Sequence, residues 1–140
     1  MTNYLLIILL ALLSNMAHSD AYFDSQLERA EQGDANAQWA LGFMYSEGLG
    51  VPENDQTAVM WYTKAAEQGY ADAQTSLGFM YASGEGVPEN YVRAYVWWLV
   101  GSSSNSSLEN IKEIMTKESI VKAQELAAKC YESDYKDCKG

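Results

Sequence analysis

The sequence is poor in basic residues. Nine lysines and arginines stand against nineteen acidic residues, which gives a formal net charge of −10. Nucleic-acid binding depends on cations that neutralise phosphates, so this composition argues against a nucleic-acid partner. It argues equally against docking on an anionic membrane surface. A hydrophobic share of 48% in 140 residues is nonetheless ordinary for one globular domain.

The negative charge is concentrated in the first two thirds of the chain. Residues 20–91 contain 12 acidic and 2 basic residues, a net charge of −10, whereas residues 92–140 contain 7 of each and are neutral. A protein partner that this charge attracts would have a basic surface.

Residues 1–19 are predicted to be a signal peptide. The apolar run Tyr4–Leu13 would extend ~15 Å as a helix, half the hydrocarbon core of a bilayer, which suits a signal peptide better than a membrane span. Ala17 and Ser19 supply the small residues of a cleavage site, with cleavage after Ala21 as the alternative. The opening "MTN" lacks lysine and arginine, so a retained anchor or a buried N-terminal helix stays open. Cleavage would give a periplasmic or secreted protein with no stable membrane insertion.

Loss of this segment would remove the single histidine, His18. The remaining chain would then have no imidazole, which excludes Ser-His-Asp and Cys-His catalysis and zinc held by histidine.

The two cysteines, Cys130 and Cys138, have seven residues between them, too many for a Cys-x-x-Cys redox motif, and two thiols cannot complete a zinc site. In an oxidising compartment we expect a disulfide, with two free thiols as the alternative. The sequence therefore predicts neither a metal nor a cofactor.

A segment of thirty-six residues occurs twice. When residues 35–70 are aligned with residues 71–106, sixteen of the thirty-six positions are identical. "LGFMYSEGLGVPEN" returns as "LGFMYASGEGVPEN", and the two prolines, Pro52 and Pro88, take the same position. A period of this length is typical of a solenoid, in which successive units bury each other's apolar faces.

Each unit is interpreted as two helices joined by a turn. In the first unit we expect helices from Ala35 to Ser46 and from Asp55 to Gln68, the first capped by Asp34 and the second by Asn54 or Asp55. The glycines of the "EGLGVPEN" turn are expected to supply positive φ angles. The turn lacks the lysine of a phosphate-binding loop and follows a helix rather than a strand, so we do not interpret it as one.

Gly42 and Gly78 lie in the middle of the first helix of each unit. A glycine there costs ~1 kcal/mol relative to alanine. Because the loss is repeated, we expect the glycines to let the paired helix approach with no side chain between the two backbones.

The segments on either side of the two units are interpreted as a half unit and a cap. "AEQG" at residues 30–33 returns at 66–69, so residues 20–34 are predicted to be an N-terminal half repeat. Residues 107–140 are predicted to form a C-terminal cap, with a short helix that follows a Ser106–Glu109 capping box and a longer one after Thr116. The apolar stripe of the longer helix comprises Ile120, Ala123, Ala127 and Cys130, joined by Val121 and Leu126. The predicted fold is all-α, a short right-handed α-solenoid of helix-turn-helix repeats with a divergent C-terminal helical cap.

The repeat resembles the Sel-one-like repeat, a relative of the tetratricopeptide repeat. The matching residues of the first unit are Ala37, Leu41, Gly42, Tyr45, Gly48, Gly50, Val51, Ala58, Trp61, Tyr62, Lys64, Ala65, Ala66 and Gly69. Asn54 stands where aspartate is usual, and Val100-Gly101-Ser102 replaces Lys-Ala-Ala in the second unit. The resemblance covers residues 21–102.

The resemblance implies a scaffold for protein–protein contact, and many relatives are exported bacterial proteins. Some cysteine-rich relatives have been linked to β-lactam binding or hydrolysis, and others to immunity against secreted toxins. We expect an exported, non-catalytic interaction module. The alternatives are a β-lactam-directed or other hydrolase, an immunity-type inhibitor of a secreted toxin, and a purely structural envelope protein.

Family resemblance also implies a binding face, because the first helix of each unit tends to line the concave side. The side opposite the buried stripe carries Asn36, Trp39, Phe43 and Ser46 in the first unit and Asp72, Thr75, Phe79 and Ala82 in the second. Trp39 is the sharper candidate, because its equivalent is Thr75 and the repeat does not require an aromatic residue there. Packing of Trp39 and Phe43 between helices is the alternative. The expected partner has an apolar anchor pocket and a basic rim.

We predict that the exported form begins at Asp20 or Tyr22. The short apolar run followed by small residues is the reason. Intact mass spectrometry of the protein recovered from the periplasm or the medium checks this, and a species that still carries Met1–Ser19 would contradict it.

Overall fold

The computed structural model describes residues 21–101 and 106–138, and the predicted signal peptide lies outside them. Within the described residues all regular secondary structure is α-helical, which confirms the predicted all-α class. The helices are α1 (residues 21–31), α2 (Ala35–Glu47), α3 (Asp55–Ala66), α4 (Ala71–Ser83), α5 (Tyr91–Val100), α6 (Ser106–Ile114) and α7 (Lys117–Glu132). None of these described helices is long and apolar enough to cross a membrane.

Successive helices pack against each other in chain order from α2 to α5, as expected for stacked hairpins. The next contacts converge on α5, since both α6 and α7 pack against it. Residues 94–98 of α5 are therefore all buried, although a helix with one covered side would bury only a stripe. The core of the second unit is centred on this helix.

The predicted N-caps of the first unit are present. The Asp34 carboxylate accepts a hydrogen bond of 2.9 Å from the backbone N–H of Ala37, and Asn54 accepts one of 2.9 Å from Thr57. The bond from Ala37, assisted by the Arg29 guanidinium 2.7 Å away, lowers the pKa of Asp34. Each cap satisfies a backbone donor at a helix start that no carbonyl within the helix can reach.

The turn between the two helices of each unit also has the predicted geometry. Gly48 and Gly50 adopt φ angles of 64° and 74°, the left-handed region that favours glycine. The Asn54 N–H donates to the Tyr45 carbonyl at 2.8 Å, and the equivalent bond in the second unit has the same length. The turn is thus closed by its own backbone.

The second helix of the first unit ends earlier than predicted, at Ala66 rather than at Gln68. The N–H groups of Gln68 and Gly69 bond to the carbonyls three residues before them, at 3.1 and 2.9 Å. This tighter pattern replaces the last turn of the α-helix, and Gly69 then reverses the chain with a φ of 80°.

The mid-helix glycines make room for an aromatic ring, and the predicted close approach of two bare backbones is wrong. A Cβ at Gly42 would lie 2.5 Å from the Tyr62 ring, and a Cβ at Gly78 would overlap the Trp98 indole. Tyr62 and Trp98 take equivalent positions in the two units, and both are buried. The repeated glycine therefore accommodates a large aromatic side chain of the paired helix.

Two buried glutamines join each unit to the one before it. The Gln38 side-chain N–H donates to the Ala30 carbonyl at 3.1 Å, and the equivalent Gln74 donates to Ala66 at the same distance. Gln38 also accepts a bond of 2.7 Å from Gln68. These bonds connect the start of one hairpin to the end of the previous helix, so they set the spacing between units.

Helix α7 contacts α5 through the predicted stripe, with one exception. Ala123, Ala127 and Cys130 are buried, whereas Val121 is 52% exposed. Val121 is two positions before the buried Ala123, ~200° around the helix axis. Its side chain therefore points away from α5, the helix with which α7 makes its main contacts.

The C-terminal tail forms a short loop whose two ends, Cys130 and Cys138, are held together. Cys130 and Cys138 lie at disulfide distance, with Cα atoms 4.5 Å apart, and both are buried. Within the loop the Tyr135 ring packs on Gly69, where a Cβ would come within 2.8 Å of it. The Tyr131 hydroxyl lies within 3.1 Å of the last two carbonyls of α5. The tail therefore contacts the end of the first unit as well as the second.

We predict that Gly78→Ala lowers the free energy of unfolding by ~1–3 kcal/mol, because the new methyl group overlaps the Trp98 indole. Chemical denaturation measures the change. The same substitution in a Trp98→Leu background should cost less, because the smaller side chain leaves space. An equal cost in both backgrounds would contradict the steric explanation.

We also predict that alkylation of the native protein without reduction labels neither Cys130 nor Cys138. Reduction should lower the free energy of unfolding by roughly 2–3 kcal/mol, the value that the entropy of closing a short loop gives. Mass spectrometry and thermal denaturation measure the two effects. Full labelling of both thiols under oxygenated native conditions would refute the bond.

Candidate protein-binding face

Helices α2 and α4 present two phenylalanines at equivalent positions. Phe43 is 42% exposed and Phe79 is 49% exposed. Each ring rests on a tryptophan: Phe43 stacks on Trp39 with centroids 6.0 Å apart, and Phe79 meets Trp98 edge-on at 5.2 Å. The face therefore has two exposed aromatic side chains, each supported from behind by an indole.

Trp39 lies in the interface between the two repeat units, here called the joint, as well as on the predicted binding face. Its indole N–H lies 3.4 Å from the Ser76 hydroxyl of α4, and its ring packs against Tyr70 at 6.1 Å. The side chain is half-buried and contacts the core of the second unit. Trp39 thus links α2 to α4, and its removal would alter the joint together with any binding.

The other predicted residues divide into two groups. Phe43, Ser46 and Phe79 line one groove between the units, whereas Asn36, Asp72 and Thr75 are not among its lining residues. The Asn36 amide donates to the Tyr70 hydroxyl at 2.7 Å. The Thr75 carbonyl accepts from the Trp98 indole at 3.2 Å. The structure therefore brings together only the part of the face nearer the turns.

This inter-repeat groove has a volume of about 390 Å³. Its lining combines apolar, hydroxyl and acidic side chains: Phe43, Ser46, Glu47, Glu53, Asp55, Tyr62, Ser76, Phe79, Met80 and Glu85. Of the described residues, four carboxylates line it and no lysine or arginine does. An apolar base with an uncompensated negative rim favours a ligand that is both apolar and cationic.

Tyr62 forms the base of the inter-repeat groove. Its hydroxyl lies 3.2 Å from the Ser46 hydroxyl, and burial raises the pKa of Tyr62 by penalising the tyrosinate. Burial therefore favours the neutral phenol at Tyr62. It supplies hydrogen-bonding capacity below the acidic rim without adding charge.

A second groove, the apolar groove, lies beside the first on the N-terminal side. It encloses about 490 Å³ and is lined by Tyr22, Trp39, Ala40, Phe43, Met44, Leu49 and Gly50. None of these lining residues carries a charge. Phe43 is common to both grooves, so its ring separates an apolar site from an acidic one.

The sequence did not predict that four carboxylates meet in one groove, and it did not predict the apolar groove. The acidic residues come from the end of α2, the first turn, the start of α3 and the second turn, so only folding brings them together. One sequence feature points to acidic residues in this region: a glutamate recurs in both "GVPEN" turns, at Glu53 and Glu89. It indicates an acidic edge along the turns but not the groove behind it.

The arrangement is suited to recognition. Within residues 21–101 and 106–138, no group of three or more histidine, cysteine or acidic side chains is placed to hold a metal ion. The groove offers carboxylates, hydroxyls and aromatic rings. These are groups that bind cations and apolar side chains by contact.

Comparison with known proteins agrees with the repeat architecture. The model of the Sel1 repeat matches residues 35–70 and again residues 71–105. A search of curated proteins gave no match.

The solved structures that resemble the chain include the following two. One is a protective antigen of uropathogenic Escherichia coli strains with an SLR fold, 28% identical over 85% of this chain, with a TM-score of 0.76. The other is a Sel1 repeat protein from Oxalobacter formigenes, 34% identical over 74% of this chain, with a TM-score of 0.59. The chain spans 27% of the first and 42% of the second.

These matches confirm the family that the sequence predicts. Sel1 repeats generally serve as protein–protein interaction modules. Because the repeat model covers half of its residues in two consecutive copies, the chain belongs to the Sel1 repeat family.

Proposed function

We propose that this chain is an exported, non-catalytic module that binds another protein through the face formed by α2 and α4. The observation that carries the proposal is the pair Phe43 and Phe79. Both are exposed, both take the same position in their units, and both rest on a tryptophan. Exposed apolar side chains that recur on one face of a repeat array are typical of an interaction surface.

The support behind each phenylalanine favours binding. A side chain that already occupies its bound conformation loses little conformational entropy when a partner covers it. Trp39 and Trp98 restrict the two rings in this way. Aromatic anchors of this kind contribute a large share of the binding free energy at protein interfaces.

The charge of the same region indicates what surrounds the partner's apolar contact. Residues 20–91 carry a net charge of −10, and the carboxylates of the inter-repeat groove lie beside the exposed phenylalanines. A partner with a basic rim would be attracted from a distance and oriented before contact. Raising the salt concentration should then slow association more than it accelerates dissociation.

Export is supported by the N-terminal sequence and by the cysteines. The apolar run and small residues before Asp20 suit a signal peptide. Cys130 and Cys138, at disulfide distance, suit an oxidising compartment such as the periplasm or the cell exterior. Both features support the same location.

We predict that Phe79→Ala weakens partner binding by ~2 kcal/mol or more, because the exposed ring is expected to fill a pocket in the partner. The partner is first captured by crosslinking in an extract of the native cells and identified by mass spectrometry. Association and dissociation are then measured on an immobilised surface. Phe79 is preferable to Trp39 here, since Trp39→Ala would also disturb the contact with Ser76.

Val121→Ala is the matched control. Val121 is as exposed as Phe79 but lies on α7, outside the proposed face. It should leave the affinity unchanged. If Phe79→Ala and Val121→Ala have the same small effect and salt does not alter association, the binding site is not on the α2–α4 face.

A further inference from the structure

We infer that the two adjacent grooves together bind a peptide segment whose apolar residues and basic residues lie in separate halves. The apolar half would occupy the apolar groove, and lysine or arginine side chains would occupy the inter-repeat groove. This inference rests on the proposed function and deepens it by specifying the chemistry of the bound segment. The observation behind it is that one side chain, Phe43, forms a wall of both grooves.

The described lining of the apolar groove contains no charged side chain. Its exposed side chains are Tyr22, Phe43 and Leu49, and Leu49 is 48% exposed. Trp39 and Met44 close its base. Covering solvent-exposed apolar surface of this kind with another apolar side chain is favourable, whereas a charged side chain placed there would lose hydration without a counter-charge.

The inter-repeat groove has the opposite character because the joint between units concentrates its acids. Gly86 packs directly on the Asp55 backbone, where an added Cβ would lie 2.5 Å from the carbonyl oxygen. This contact places Glu85 of the second turn beside the start of α3. Glu53 packs on Gly48 and so lies beside the end of α2. Carboxylates from both units therefore surround one apolar base.

Among the residues that the structure describes, no lysine or arginine lines the inter-repeat groove beside these carboxylates. The two described ion pairs, Arg29–Asp34 and Lys112–Glu109, involve other acids. The four groove carboxylates are thus open to a cation from outside the chain. Lysine and arginine suit this site because their long apolar stems can lie on Phe79 while the charged ends reach the acidic rim.

The two grooves are close enough for one short peptide. Phe43 separates them, and neighbouring packed helices lie on the order of 10 Å apart. An extended peptide of eight residues reaches ~26 Å. Such a segment can place its apolar half in one groove and its basic half in the other. A segment in which the two kinds of side chain alternate cannot do this, because each half would put charged groups against Leu49 and Tyr22.

The test uses fluorescein-labelled peptides and the chain from Asp20 to Gly140. The segregated probe is Leu-Phe-Leu-Gly-Lys-Lys-Lys-Gly, made in both orders, and the alternating probe has the same composition. Fluorescence polarisation at 150 mM salt measures binding. We expect one order of the segregated probe to bind at least tenfold more tightly than the alternating probe. Equal binding of all probes, or no binding of any, would overturn the inference.

Paired variants separate the grooves from the general charge of the chain. Glu53→Gln with Glu85→Gln should weaken the segregated probe about tenfold, and Leu49→Ser should weaken it severalfold. Glu118→Gln with Glu125→Gln makes the same change of net charge at exposed positions of α7 and should have less than a twofold effect. If this α7 pair weakens binding as much as the groove pair, the attraction is non-specific and the inference is wrong.

The failure of this inference can be told apart from that of the proposed function. If the groove variants leave the probes unaffected while Phe79→Ala still weakens the crosslinked partner, the α2–α4 face binds a partner of different chemistry. If neither responds, the face itself is not the binding site. A photo-reactive phenylalanine in the probe, mapped by mass spectrometry, should label residues of α2 and the first turn when the inference holds.

Discussion

The geometry of the array depends on one repeated hydrogen bond, the bond from a buried glutamine to the last turn of the preceding helix. A buried side-chain amide must find partners, and at Gln38 and Gln74 the partner is a carbonyl in the last turn of the preceding helix, which also accepts the backbone N–H three residues later. The two units must lie at a separation that brings both groups within hydrogen-bonding distance. That separation determines how far Phe43 lies from Phe79 and where the acidic turns meet α3. The grooves are therefore a product of the joint, and neither unit contains the inter-repeat groove by itself.

The two units place different side chains beside the mid-helix glycine and beneath the exposed phenylalanine. In the first, an indole stands on the first helix, at Trp39, and the smaller Tyr62 faces the glycine of the pair. In the second, Thr75 stands on the first helix and the indole of Trp98 faces the glycine. The tryptophan that packs against the exposed phenylalanine thus lies on the first helix in one unit and on the second helix in the other. This exchange explains why the aromatic support of the face is preserved although the residues at position 39 and 75 differ.

The sequence predicts the parts of this structure that follow from local chemistry. The caps at Asp34 and Asn54 and the left-handed glycines of the turns are confirmed because neighbouring residues determine them. Val121 was wrongly placed in the core, since its burial depends on which helix α7 meets. The role of Gly42 was likewise misjudged, because the ring that needs the space lies twenty residues away. The grooves could not be predicted for the same reason. The four carboxylates of the inter-repeat groove come from four separate segments, and the apolar groove combines α1, α2 and the first turn.

The joint has a consequence for how such chains change in length. Because each unit ends with the acceptor that the next unit's glutamine requires, an in-frame duplication of thirty-six residues would create another matching junction rather than a broken one. Every added unit would bring one more groove. At the other end of the second unit, the Tyr131 hydroxyl of α7 lies within 3.1 Å of the last two carbonyls of α5. Recombination can therefore extend the array from within.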